Sequence, residues 1–487
     1  MRARVLLIIA IIALRSLQWT SAGLVAEETI ATGDGMTAIH WAVLKEDVDR
    51  ARQLLQSGAD ANATNAYEVT PLGIACTVGN AELVRLLLKH GADVNRAVAG
   101  GETPLMTAAR TGRPEVVELL LSHGAVVDAK ESRGQMAIHW AAAEGHAAVV
   151  KRLIEAGADA SATLRSDFNP LLFAAREGHR EVVKVLLAAG ADRSSLIATR
   201  GNGRAPRPGT TALMLAVENG HFELAVDLMK AGADPDEDLS GFAPLHAIVW
   251  VRKPNRGDDP DGDPPPYGSG SMTSLEFVRQ CVAMGAEVDK RVERTNRSPG
   301  RLNKTGATPF LLAADTADLP LMQTLIELGA DPTVATVEGT TALLAAAGVG
   351  TFAPGEEAGT EAEVAEAILY LLELGGDINA VDDNGETVMH GAAYKGIPSI
   401  VELLAEKGAR IEVWNRENRY GWTPLSIAEG YRHGNFRPLA DMVSAIEKVM
   451  RAEGVEPVPH RMRGGNGSVD LYAPKPSNAK SSAVDDQ

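Results

Sequence analysis

Histidine is the residue type with the widest chemical range in this chain, which has 487 residues, 11 of them histidine. An imidazole can bind a metal ion or transfer a proton near neutral pH. The chain has two cysteines, too few for a four-cysteine metal site or a disulfide scaffold. It also lacks a His-Glu-x-x-His pair, the spacing typical of zinc hydrolases. The sequence therefore predicts no metal site and no cofactor.

Other catalytic patterns are missing as well. The chain has no Gly-x-Ser-x-Gly, Walker A or dinucleotide-binding motif. Asp259, Asp261 and Asp263 alternate as at the start of a calcium loop, but three prolines follow and no glutamate stands where a bidentate ligand is needed. We therefore predict a solvated loop at these aspartates and a protein without enzymatic activity.

A tetrad related to Thr-Pro-Leu recurs along the chain, and its first five copies are spaced by 33 residues. The tetrads start at Thr37, Thr70, Thr103, Met136, Asn169, Thr211, Ala243, Thr308, Thr341, Thr387 and Thr423. In eight of these copies a glycine ends an apolar, helix-period segment 21 residues after the start of the tetrad. Threonine is a good helix N-cap and proline suits the first helical turn, so each period predicts two helices covered by their neighbours.

The segment 101–128 closely resembles the ankyrin repeat, with Gly-Glu-Thr-Pro-Leu-Met-Thr-Ala-Ala followed by Glu-Val-Val-Glu-Leu-Leu-Leu. The resemblance covers about 34–454. It implies an all-α repeat solenoid of about eleven helix-turn-helix repeats with hairpin fingers. It also implies structural roles for nine of the histidines, leaving His433 and His460 unexplained. Cys76 and Cys281 lie five repeats apart and are predicted to be buried free thiols.

The two ends of the chain differ in composition from the repeats. Residues 1–22 combine early arginines with a ten-residue apolar run, which is typical of a signal peptide cleaved between Ala22 and Gly23. Residues 23–33 lead into the array, and 455–487 are predicted to be disordered. The net charge of −17 argues against nucleic-acid binding, and the apolar run is too short to span a membrane. We predict an exported monomer, in a bacterial periplasm or outside the cell.

Five insertions interrupt the regular spacing, near 193–208, 251–272, 290–304, 350–362 and 430–437. The second, fourth and fifth fall inside helix pairs, whereas the first and third enlarge the fingers between repeats. In an ankyrin-like unit the first helix begins beside the finger and ends far from it. We therefore expect the two sets of insertions on opposite edges of the solenoid.

The enlarged fingers are basic, although the whole chain is acidic. The residues of interest are Arg200, Arg204, Arg291, Arg294, Arg297 and Arg301, and in 410–422 Arg416 and Arg419 beside Trp414 and Trp422. Basic and aromatic residues together suit an acidic protein patch, a glycan or another anion. Solvated loop tips that balance the acidic helices are the alternative.

The resemblance also implies partner contacts on the first helices and turns. By that analogy the candidates are Tyr67, Arg110, Arg133, Gln135, Phe168 and Arg176. The predicted function is that of an exported scaffold that binds another protein, with an extracytoplasmic enzyme as one candidate partner. The alternatives are a secreted effector that binds host proteins and a module that binds glycans or anions through the basic, aromatic fingers.

Overall fold

The computed structural model describes residues 33–198, 206–254, 264–293, 300–355, 358–434 and 436–458. The first helices of successive repeats are α1 Ala38–Leu44, α3 Pro71–Val78, α5 Pro104–Thr111, α7 Ala137–Ala143, α9 Pro170–Glu177, α11 Ala212–Glu218, α13 Pro244–Arg252, α15 Pro309–Asp315, α17 Ala342–Ala347, α19 Val388–Lys395 and α22 Pro424–Ala428. The second helices are α2 Val48–Gln56, α4 Ala81–Lys89, α6 Pro114–Ser122, α8 Ala147–Glu155, α10 Arg180–Ala188, α12 Phe222–Lys230, α14 Ser274–Ala283, α16 Leu319–Glu327, α18 Glu361–Glu373, α20 Pro398–Glu406 and α23 Ala440–Ala452. Two further elements are a short helix, α21 Ile411–Trp414, and an antiparallel ladder of β1 Leu196–Ile197 with β2 Thr210–Thr211.

The tetrads begin the first helices in the way that the sequence predicts. In repeat 3 the Thr103 hydroxyl oxygen accepts a hydrogen bond from the Met106 N–H at 3.4 Å, and Pro104 occupies the first turn. Gly112 ends this helix with a φ of 71°, a backbone conformation that favours glycine. The described residues form eleven consecutive helix pairs, which confirms the all-α repeat solenoid.

The tetrad histidines are structural, as predicted. His139 is completely buried; its Nδ1 accepts from the Met136 N–H at 3.2 Å, and its Nε2 donates to the Ala162 carbonyl oxygen at 2.9 Å. Burial lowers the pKa of His139 below the ordinary imidazole value, so the ring is neutral. The same ring contacts and the same direction of pKa shift recur at His40, His246 and His390.

Neighbouring repeats cover each other's apolar faces. Small side chains such as Ala108 and Ala109 let the first helices approach closely, and the second helices add Val116 and Leu120 to the same continuous core. Each two-helix unit is therefore stabilised mainly by the repeats on either side of it. Cys76 and Cys281 belong to this core and are unpaired, which confirms the prediction of buried free thiols.

The insertion of repeat 7 folds back onto repeat 6. Gly268 lies so close to Gly220 that a Cβ atom at 268 would be 1.7 Å from the Gly220 carbonyl oxygen. The Ser269 N–H donates to the Nδ1 of His221 at 2.9 Å. Because glycine alone tolerates such an approach, this crossing fixes the path of the insertion.

One pair of insertions departs from the expectation that the two sets occupy opposite edges of the solenoid. The Leu302 N–H, in the finger insertion between repeats 7 and 8, donates to the carbonyl oxygen of Gly350 in the insertion of repeat 9 at 3.2 Å. The Arg301 guanidinium lies 5.1 Å from the centre of the Phe352 ring. The described end of this finger therefore lies beside the insertion of repeat 9.

Several predictions concern residues outside the described ranges. They are the signal peptide with its cleavage site at Ala22 and Gly23, the aspartates of 259–263, most of the tail, and the side chains of Arg200, Arg204, Arg294 and Arg297. Within the described ranges, no helix is long and apolar enough to cross a membrane.

Candidate functional site

An open groove of about 680 Å³ lies across repeats 4 and 5, where the turns meet the first helices α7 and α9. Its walls include the predicted contacts Arg133, Gln135 and Arg176 together with Trp140 and Phe173. We call these five residues the aromatic–arginine groove. Trp140 and Phe173 occupy the same position in successive repeats, so the 33-residue period places their rings on neighbouring helices.

Arg176 is held against two aromatic rings. Its guanidinium lies 5.2 Å from the centre of the Phe168 ring and 5.3 Å from that of Phe173, and it pairs with Glu177 at 3.0 Å. A guanidinium stacked on aromatic faces keeps its N–H groups in a defined direction. Phe168 is only 8% exposed, so it supports Arg176 from beneath instead of presenting its own ring to a partner as the sequence predicts.

Trp140 connects the groove to repeat 3. The Arg110 guanidinium lies 5.7 Å from the centre of the Trp140 ring and pairs with Glu102 at 3.0 Å. The structure leaves Trp140 partly exposed in the groove wall. Its indole N–H has no hydrogen-bond acceptor within the described part of the chain. A buried donor without an acceptor costs free energy, which a partner that supplies the acceptor would recover.

Two other predicted contacts lie apart from this groove. Tyr67 is 69% exposed in the turn before repeat 2 and is a large apolar side chain facing solvent. Arg291 is used within the protein, because its guanidinium donates to the carbonyl oxygens of Gly306 at 3.0 Å and Ala335 at 2.7 Å. It ties the finger before repeat 8 to the next turn, and these contacts are structural.

The aromatic finger 410–422 differs most from the prediction. Trp414 is only 2% exposed: it ends α21, where its indole N–H donates to the Ala409 carbonyl oxygen at 3.3 Å and its ring packs into the core. It is therefore not available to a partner. Arg416 and Arg419 are exposed. Without Trp414 the finger has less aromatic surface to offer a glycan.

Trp422 lies in an aromatic cluster that the sequence does not predict. Its ring is 5.0 Å from that of Tyr420 and 5.0 Å from that of His433, and the Tyr420 and His433 rings are 4.5 Å apart. The guanidinium of Arg419 lies 5.3 Å from the centre of the Tyr420 ring. His433, which the repeat leaves unexplained, thus belongs to a cluster built by the last two repeats.

This cluster borders an acidic cavity of about 60 Å³. The cavity is lined by the carboxylates Glu338, Asp382 and Glu386, and by Tyr394, Tyr420, His433 and Arg301 among others. Burial, together with the neighbouring Asp382, raises the pKa of Glu386 to about 8, although hydrogen bonds from Tyr394 and Asn418 lower it. The sequence analysis missed these carboxylates. The signal that could have found them is Tyr394, an uncharged residue at the position where repeat 3 has Arg110.

Metal binding finds no support in the described residues, where no group of three or more His, Cys, Asp or Glu side chains is arranged to hold an ion. The buried cysteines do not provide a nucleophile. Burial raises the pKa of the Cys281 thiol to about 12, so the reactive thiolate is scarce at neutral pH.

Comparison with known proteins agrees with this architecture. A family model described as ankyrin repeats in three copies matches 39–131, 127–196 and 359–442, and a single ankyrin-repeat model matches 209–238. Together the matched segments cover more than half of the chain.

Similar proteins have different activities. The chain is 37% identical to the potassium channel AKT1 of Oryza sativa subsp. indica over 74 residues, 15% of this chain and 8% of the channel. It is 30% identical to the human transient receptor potential cation channel subfamily A member 1 over 105 residues, 21% and 9% of the two chains. It is 29% identical to the probable 26S proteasome regulatory subunit p28 of Saccharomyces cerevisiae over 131 residues, 26% and 51%.

These matches span from less than a tenth to about half of each relative's length. With its eleven helix pairs, tetrad caps and matching family models, the chain belongs to the ankyrin-repeat family.

Proposed function

We propose that this chain is a non-catalytic scaffold that binds another protein through the aromatic–arginine groove. The observation that carries the proposal is the arrangement of Trp140, Phe173 and Arg176 around one open groove. Tryptophan and arginine are the residue types that most often dominate binding energy at protein interfaces. The groove also lies on a rigid stack, so little conformational entropy is lost when a partner binds.

The polar part of the groove suits an extended segment of the partner. The Trp140 indole N–H lacks an acceptor within the described residues, and a carbonyl or carboxylate oxygen of the partner would supply one. Arg133 and Arg176 add positive charge beside it. The proposed partner therefore presents apolar side chains flanked by backbone or acidic oxygens.

Removing the Trp140 side chain from the groove is expected to weaken partner binding. Replacing Trp140 with alanine should weaken binding by about 2 kcal/mol or more, roughly 30-fold, because it removes both a ring and the free donor. The measurement is recovery of partners by affinity capture, followed by a binding titration with the partner identified. Arg85→Ala is the matched control, because Arg85 is exposed on α4 and pairs with Glu115 away from the groove. Equal losses in both variants would refute the groove as the binding site.

Export is the second part of the proposal, and it rests on the composition of residues 1–22. We expect the mature protein to begin at Gly23 and to be found in the periplasm, with release from the cell as the alternative. Cell fractionation and sequencing of the mature amino terminus test this. Recovery of the chain from the cytoplasm with residues 1–22 intact would contradict it.

A further inference from the structure

The acidic cavity lies where three separate insertions meet. Residues 300–303 of the finger between repeats 7 and 8 form one wall, Val349 and Gly350 of repeat 9 form another, and His433 of repeat 11 closes a third side. A Cβ atom on Gly300 would be 2.8 Å from the Cβ of His433, so the segments are in contact. Repeats without insertions lack these contacts. The three insertions together enclose the cavity on several sides.

One carboxylate in this cavity is incompletely bonded. Glu386 is 5% exposed, and its Oε1 accepts hydrogen bonds from the Asn418 side-chain amide at 2.8 Å and the Tyr394 hydroxyl at 3.2 Å. Its Oε2 is buried and has no hydrogen-bond partner in the described part of the chain. A buried carboxylate oxygen without a donor is costly, so the site suits a ligand that brings a donor.

Repeat 3 shows that a cation can pair with a carboxylate at this position. Glu102 occupies the position equivalent to Glu386, immediately before its tetrad, and it pairs at 3.0 Å with Arg110, eight residues later. In repeat 10 the eighth residue after Glu386 is Tyr394. The internal cation of repeat 3 is thus replaced by a phenol, and the carboxylate faces a cavity.

The remaining walls also favour a cation. Asp382 and Glu338 add two carboxylates, and the rings of Tyr394 and Tyr420, which already contact the guanidinium groups of Arg432 and Arg419, complete the aromatic part of the wall. Arg301 is the one cationic side chain that lines the cavity among the described residues, and its guanidinium is stacked on a phenylalanine ring. Among the lining residues that the structure describes, three are acidic and one is an arginine.

We propose that this cavity binds a primary ammonium group, with the Glu386 carboxylate as its main acceptor. An ammonium group has three donors in a compact head. A cavity of about 60 Å³ has room for about two water molecules, which matches such a head better than a planar guanidinium. The ammonium group belongs either to a lysine side chain of a protein partner or to a free small amine. The site goes beyond the groove of repeats 4 and 5 and does not depend on it.

Binding is expected to release a proton from Glu386. The titratable and charged groups that face it are Asp382, Glu338, Tyr394, Tyr420, His433 and Arg301. Burial lowers the pKa of His433 and raises that of Tyr394, so neither ring changes charge between about pH 7 and 8. Glu386 does, because its pKa is about 8. Affinity for a cation should therefore rise about tenfold per pH unit up to pH 8 and then level off.

Calorimetric titration of the full chain tests the proposal. The probes are n-butylammonium and N-acetyl-lysine N-methylamide, with n-butanol as the neutral control and methylguanidinium as the competing cation. We expect binding of roughly millimolar order at pH 8. Glu386→Gln should weaken it at least tenfold and remove the pH dependence. Glu102→Gln is the matched control and should leave binding unchanged, as should the groove variant Trp140→Ala.

Each result decides the question. Binding of both ammonium probes supports a site that accepts free amines, and binding of the lysine probe alone supports a site for a lysine side chain. Tighter binding of methylguanidinium overturns the choice of ammonium. Absence of binding, or equal loss in Glu386→Gln and Glu102→Gln, overturns the site itself. If Glu386→Gln does not fold, the pH dependence in the unaltered chain decides: affinity that does not rise toward pH 8 overturns the proposal.

Discussion

Replacing Asp318 with alanine is expected to lower the free energy of unfolding by about 3–5 kcal/mol, because it leaves a largely buried guanidinium without its counter-charge. Asp318 is 0% exposed and lies in repeat 8, in the turn between α15 and α16. Its two carboxylate oxygens accept hydrogen bonds from Arg252 at 2.7 and 2.8 Å. It also caps α16, accepting from the Leu321 N–H at 3.2 Å. A single substitution therefore removes a bidentate ion pair and a helix cap.

The location of Asp318 in the repeat stack is expected to increase the loss of stability. Arg252 ends the first helix of repeat 7 and also donates to the Ser274 hydroxyl at 2.7 Å, at the start of α14. Asp318, through Arg252, thus links the helix pair of repeat 7 to that of repeat 8 across the longest insertion. Because each repeat depends on its neighbours, loss of this link is expected to uncouple the two halves of the array.

Urea unfolding followed by circular dichroism measures this loss. Glu82→Ala is the control, because Glu82 pairs with Arg52 at 3.0 Å on an exposed surface, and such pairs contribute about 1 kcal/mol or less. We expect one transition for the control and a second, earlier transition for Asp318→Ala. A single transition at the control's midpoint would show that the buried pair does not couple the two repeats.

The sequence was sufficient for the parts of the fold that each repeat determines locally. The cap at Thr103, the turn at Gly112 and the buried ring of His139 depend on residues a few positions apart, and the period copies them along the chain. The path of an insertion has no such local rule. The hydrogen bond from Leu302 to Gly350 joins residues 48 positions apart. No sequence pattern in either segment indicates that the two are in contact.

The aromatic–arginine groove and the acidic cavity also differ in how far the repeat register predicts them. Trp140 and Phe173 share one register, so the sequence could place them together, but their exposure depends on how the turns of repeats 4 and 5 pack. Composition alone suggested a solvated finger at Trp414, whereas a short helix carries its ring into the core. Glu386 could have been found by comparing Tyr394 with Arg110, since that comparison needs only the repeat register.

Glu386 also provides a pH-dependent test of stability. The folded protein holds its proton up to a pKa of about 8, whereas an exposed glutamate loses it near pH 4.3. Between these values the folded state binds more protons than the unfolded state, so this group's contribution to stability is present at low pH and decreases as pH rises. By pH 8 it should have fallen by about 3–5 kcal/mol.

Glu386→Gln is therefore expected to stabilise the ligand-free chain, and increasingly so toward alkaline pH. Glutamine keeps the oxygen that accepts from Asn418 and Tyr394, and it does not ionise. Near pH 5 the variant and the parent should unfold at similar urea concentrations, and the difference should grow by about 1.4 kcal/mol per pH unit up to pH 8. Glu102→Gln should have the opposite sign at neutral pH, because it breaks the pair with Arg110. A constant difference across this range would mean that Glu386 is already ionised in the folded protein. Ionised Glu386 is thus expected to lower the stability of the ligand-free protein. A bound cation would restore that stability, as expected of a carboxylate that binds a ligand.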